Sequence, residues 1–100
     1  MPQNKKIDVI DEDKLAKYFK ITGEALEMAK KAPKDEKNQD KAEDFLDMAE
    51  RYYNDAKHFE SQGQIVNAFA ALNYAHGWLD AGARAGFFKV KDSRLFTVDD

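Results

Sequence analysis

The sequence predicts an all-α fold, a three-helix up-and-down bundle followed by a short extended C-terminal tail. Three observations predict it. Apolar residues recur at three- and four-residue steps in three successive segments. The breaks between those segments hold Pro33, a charged run from Lys34 to Asp40, and Gly63. From Gln64 to Phe87 there is one acid, Asp80, and one base, Arg84, so this segment needs cover on most of its circumference.

The first helix is expected over about 11–32. Leu15, Tyr18, Phe19, Thr22, Ala25, Leu26 and Ala29 fall on one face at about 100° per residue. Asp11 suits the N-cap, and Ile10 before it can staple onto Leu15. Pro33 ends the helix or starts the next element. The second helix is expected over about 40–62, with Ala42, Phe45, Leu46, Ala49, Tyr52, Tyr53, Ala56 and Phe59 inward and Gly63 as C-cap. Its opposite face carries Asp44, Asp47, Arg51, Asn54, Asp55 and His58.

The third helix, about 64–87, is of another kind. Ile65, Ala68, Phe69, Leu72, Ala75, Leu79 and Ala83 make a core face, while the reverse face holds Ala70, Tyr74, Trp78, Ala81 and Ala85. Two neighbouring helices cover only part of such an element. One candidate for the remaining cover is the tail, 88–100. There Phe88, Val90, Leu95 and Phe96 alternate unevenly, as an extended segment with room for a short hairpin around Asp92-Ser93.

One hundred residues make a single helical domain, 1–100, able to bury roughly 60–70% of its unfolded surface. The chain has no cysteine, which removes disulfides, thiolate zinc sites and cysteine nucleophiles and fits a reducing cytoplasm. Met1 to Ile10 has Lys5 and Lys6 but no apolar core of a signal peptide. No apolar stretch approaches the ~20 residues of a membrane span. Sixteen basic against nineteen acidic residues, a net charge of −3, argue against a general nucleic-acid binder. No glycine-rich phosphate loop, zinc pattern or nucleophile motif is present, so neither a cofactor nor a metal is expected.

Tyr53, Asp55, Ala56 and Phe59, then Ala68, Ala71 and the run Tyr74-Ala75-His76-Gly77-Trp78-Leu79-Asp80-Ala81-Gly82, carry a resemblance, as does Leu95-Phe96-Thr97-Val98. On these residues the segment from Tyr52 to Val98 resembles the archaeal domain-of-unknown-function family 357. The resemblance implies an archaeal source and a three-helix up-and-down bundle. It also implies relatives joined to a nucleotidyltransferase-like domain, which is absent here. It implies no assigned activity.

Four side-chain groups merit weighing. His76, Asp80 and Arg84 stand four apart with Asn73 alongside, a polar stripe along one edge of the third helix. A histidine oriented by a carboxylate serves acid–base chemistry. No nucleophile or second base accompanies it, so the plainer reading is that Asp80 pairs with Arg84 and fixes the register of an apolar helix. Tyr74 and Trp78 lie one turn apart over Ala70, Gly77, Ala81 and Ala85. They suit a helix-in-groove contact, a dimer seam, stacking on a nucleotide ring, or cover by Phe88, Leu95 and Phe96 of the tail. Arg51 and His58 have the R-x6-H spacing of HEPN ribonucleases, but on a solvated face with Tyr52 following the arginine, and read as chance. Glu43, Asp44, Asp47 and Glu50 lack the Glu-x-x-His pairs of a di-metal bundle and read as a solvated acidic face.

No catalytic residue is expected. The candidate binding residues are Asn73, Tyr74, His76, Trp78, Asp80 and Arg84. The function they suggest is a non-catalytic protein-interaction or oligomerisation module, meeting a partner protein or a second copy through the third helix. The alternative is an accessory small-molecule or nucleotide-binding domain working with a nucleotidyltransferase-type enzyme.

Overall fold

Three helices form where the apolar spacing places them. The computed structural model describes residues 9–97, with α1 over Glu12–Lys31, α2 over Gln39–Ser61 and α3 over Ile65–Arg84. Lys5, Lys6 and the end of the tail from Val98 lie outside the described residues. At the start of α1, Asp11 Oδ1 accepts the amide of Lys14 at 2.7 Å, and Ile10 packs into the cluster around Leu15. Glu12 and Asp13 in its first turn and Lys30 and Lys31 in its last complement the helix dipole.

Both later helices end by the same device. Gly63 and Gly86 adopt φ of 73° and 79°, which only glycine does without strain. At the end of α2, Gln64 N donates to Phe59 O at 2.9 Å and Gly63 N to Glu60 O at 3.0 Å. At the end of α3, Phe87 N donates to Gly82 O at 2.9 Å and Gly86 N to Ala83 O at 3.1 Å. These are Schellman caps, and the second one closes α3 before Phe87. Phe87 and Phe88 are thereby released to point where the tail needs them.

The packing of α2 on α3 rests on small residues at a seven-residue period. Ala42, Ala49 and Ala56 of α2 and Ala68 and Ala75 of α3 have no exposed surface, and Gly82 continues the α3 row as a buried residue. In an antiparallel pair the two rows run past each other at equal spacing, so the backbones can approach closely along the whole seam. Helix α3 also packs on α1, whereas α1 and α2 touch far less. It is thus the central element of the bundle, which explains why it carries so little charge.

The tail completes the core. Phe88, Leu95 and Phe96 are buried as deeply as any helical residue, and Val90 nearly so. Its start is pinned to the α1–α2 connection by an antiparallel bridge between Lys34 and Phe88, with Lys89 N to Pro33 O at 2.9 Å and Asp35 N to Phe87 O at 3.0 Å. Further on, Asp92 O accepts Leu95 N at 3.0 Å and Phe96 N at 2.8 Å, while Asp92 Oδ1 accepts Arg94 N at 2.9 Å. Asp92-Ser93 therefore makes a turn rather than a hairpin. Among the described residues no strand forms there, because Leu95 and Phe96 turn inward to the core instead of pairing.

Gly82 is the point on which the tail depends. A Cβ at that position would overlap the Phe88 ring, so the ring lies directly on the α3 backbone. Gly82→Ala should gain about 1 kcal/mol of helix propensity yet lose about 1–3 kcal/mol to overpacking, a net destabilisation. The double variant with Phe88→Leu should recover part of that loss in a urea-denaturation cycle, and strict additivity would contradict the contact.

Asp35 organises the α1–α2 connection. Its carboxylate accepts Asn38 Nδ2 at 2.7 Å and Lys37 N at 3.2 Å, capping the short 3-10 turn Glu36–Asn38. The Asn38 amide, then the Lys37 N–H and the nearby Lys89 and Lys37 charges, hold this carboxyl below its ordinary value. A lowered carboxyl stabilises the fold above the ordinary aspartate range of about 4 and loses that contribution as pH falls through its own lower value. Asp35→Asn should therefore cost stability at neutral pH and cost progressively less in acid, as read from denaturation midpoints across that range.

Candidate functional site

The six candidate residues share α3, but the structure divides them between two faces. His76, Asp80 and Arg84 meet the tail. Asn73, Tyr74 and Trp78 lie on the other side, and no side chain of the first set completes a site with the second.

The polar stripe holds the tail in place. His76 Nε2 lies 2.6 Å from Leu95 O and Nδ1 lies 3.2 Å from Thr22 Oγ1. A carbonyl only accepts, so Nε2 carries the proton, and in the neutral ring Nδ1 accepts from the Thr22 hydroxyl. One imidazole thus ties α1, α3 and the tail together. Asp80 accepts Thr97 N at 2.8 Å on Oδ1 and Thr97 Oγ1 at 3.0 Å on Oδ2, and Arg84 Nη1 donates to Thr97 O at 3.4 Å. Among the described residues Asp80 and Arg84 form no ion pair with each other. Both reach Thr97 instead, because the tail's backbone groups need partners that the helices cannot supply. Thr22 and Thr97 escaped the sequence reading. The one signal was a threonine placed on the apolar stripe of α1, a fully buried hydroxyl that must find a partner.

Among the described residues the tail does not cover the aromatic face. Trp78 is half-buried, edge-on to Phe45 at 4.9 Å between centroids, and Phe87 meets the same Phe45 ring at 5.0 Å. Tyr74 lies flat against Tyr52 at 5.1 Å yet remains 63% exposed. Between them runs an open groove of about 450 Å³ lined by Asn73, Tyr74, Gly77, Trp78 and Ala81. Val66, 70% exposed, and Ala70 extend the face toward the start of the helix. A third of the circumference of α3, free of charge up to Arg84, is left facing outward.

Gly77 is the odd member. Gly82 is required by the Phe88 ring, and a Cβ on Gly23 would lie 2.8 Å from the Tyr53 hydroxyl oxygen. At Gly77 a Cβ would meet nothing within 4 Å. A mid-helix glycine costs roughly 0.5–1 kcal/mol relative to alanine, and no contact among the described residues calls for it.

Elsewhere the sequence candidates stay apart. Arg51 pairs with Asp47 at 2.8 Å on the exposed face of α2, and His58 leans on Phe59 instead. Among the described residues no cluster of three histidine, cysteine or acidic side chains could hold a metal. Among these residues no helix is long and apolar enough to cross a membrane.

The tail clasp is open to direct test. Asp80→Ala should cost about 0.5–1.5 kcal/mol, since water can meet the exposed Thr97 groups, and amide exchange at Leu95 to Thr97 should speed up while the α2–α3 seam stays protected. Uniform loss of protection across the bundle would show that Asp80 acts on the whole fold rather than on the tail.

Residues 17–88 match the family model described as "Protein of unknown function (DUF357)". No curated protein and no solved structure matches the chain.

Proposed function

The chain belongs to the DUF357 family, and from that premise we propose that it is a non-catalytic interaction module that self-associates through the open face of α3. The observation that carries this reading is Gly77. A glycine that no described residue requires, at the centre of an apolar groove between two aromatic rings, suits the close approach of a second helix backbone.

A second copy is the occupant that matches the face. The groove offers no charge to a charged partner, and an uncharged apolar strip meeting itself leaves no buried ion unpaired. In a two-fold antiparallel contact centred on Gly77, Asn73 and Tyr74 of one copy stand across from Ala81 of the other, bulk against small. The uncharged strip from Val66 to Ala81 spans roughly 24 Å of helix, which by itself buries less than the ~800 Å² per partner of a standard interface. The dimer is therefore weak and concentration-dependent. The division of the six candidate residues between two faces disfavours a single nucleotide site built from all of them.

Sedimentation over a range up to about 1 mM should show a monomer–dimer equilibrium. Ala81→Arg, on an exposed position, should leave the melting temperature unchanged and hold the chain monomeric throughout. Gly77→Ala should raise the stability of the monomer by about 0.5–1 kcal/mol while weakening the dimer. A wild-type chain that stays monomeric over that whole range would end the proposal.

A further inference from the structure

A second groove lies between α1 and the tail and shares no lining residue with the Gly77 face. It is a shallow, open trough with a volume of about 880 Å³. Met28, Ala32, Val90 and Leu95 give it an apolar floor, and Lys31, Lys89, Lys91 and Arg94 line its rim. Two acids, Glu24 and Glu27, also border it, but each is already engaged. Arg94 holds Glu24 at 3.0 Å, and Lys30, itself bound to Glu50 at 3.0 Å, lies 3.7 Å from Glu27. Lys89 sits near enough to Asp35 to help keep that carboxyl ionised. Lys31 and Lys91 form no ion pair with any described residue. In a chain of net charge −3, this is a local concentration of positive charge around an apolar trough.

We propose that this groove docks an acidic segment of a partner protein, one whose carboxylates meet Lys31, Lys89 and Lys91 and whose apolar side chain enters over Met28, Val90 and Leu95. Charge complementarity selects an anionic partner, and the floor selects a partner with an apolar side chain as well. The chemistry of the rim distinguishes among anions. The one guanidinium is committed to Glu24 and Asp92, so no free fork is present for a phosphate. No aromatic ring lines the groove, so a nucleobase has nothing to stack on. Lysines on long stems around a trough containing a methionine accommodate a carboxylate peptide instead, with an adaptable apolar contact below.

The test uses the full chain and fluorescence anisotropy of a labelled peptide in which glutamate and leucine alternate. Two companion peptides replace leucine by serine or glutamate by lysine. The Glu/Leu peptide should bind, and added salt should weaken it. Binding should fall at least tenfold to the Lys31→Glu, Lys91→Glu double variant and several-fold for the serine peptide, and the lysine peptide should not bind. Lys31→Gln with Lys91→Gln serves as a gentler pair, with matching thermal melts confirming that both variants fold. Ala81→Arg should leave the peptide affinity unchanged, which separates this groove from the α3 face. Equal binding by the double variants, equal binding of the serine peptide, or displacement by an equimolar oligonucleotide or ATP would overturn the proposal.

Discussion

Everything in this fold follows from the close seam between α2 and α3. Alanines at every seventh position of α2 run against Ala68, Ala75 and Gly82 of α3, and side chains this small let two long helices lie nearly backbone to backbone. Such a seam excludes water but fills little volume. The bulk of the core must come from elsewhere, and it does: Leu15 and Leu26 from α1, Leu72 and Leu79 from α3, and Phe88, Leu95 and Phe96 from the tail. The tail is therefore part of the core rather than an appendage. The result is an elongated, thin body of 55 × 30 × 15 Å, in which the middle helix has neighbours on three sides and none on the fourth.

The charge-poor composition of α3 has two separate causes. On one flank it reflects contact with α1, α2 and the tail, where Asp80 and His76 are spent on backbone groups of the tail. On the other flank none of the described residues accounts for it. Val66, Ala70, Tyr74, Gly77 and Ala81 face outward where lysine or glutamate would ordinarily stand. The distinction separates residues that hold the monomer together from residues available to something else.

Periodicity made the helices legible, because a 3.6-residue repeat survives any tertiary arrangement. Gly63 marked the end of α2 for an equally local reason, its positive φ. The third helix also stood out from its composition alone. The path of the tail did not. Its apolar residues are unevenly spaced, and their direction is set by Gly82, which admits the Phe88 ring, and by the Thr97 contacts to Asp80 and Arg84. An Asp80–Arg84 pair was the natural reading of an i,i+4 spacing, and it missed that two backbone groups and a hydroxyl compete for the same side chains. The groove between α1 and the tail was beyond sequence reasoning too. Lys31 and Lys91 become neighbours only once the tail crosses α1, and nothing in either local sequence anticipates the other.

The imidazole that joins Thr22 to Leu95 also bears on how the molecule assembles. The α2–α3 hairpin is built from neighbours in sequence and can form early, whereas Thr22 to His76 spans 54 residues and Glu24 to Arg94 spans 70. Such distant closures carry the larger loop entropy and come late in folding. In reverse, an opening of the tail uncovers Phe88, Leu95 and Phe96 together. The exposure of this domain to proteases and to aggregation therefore depends on how long residues 88–97 stay seated on α1 and α3, as well as on the stability of its helices.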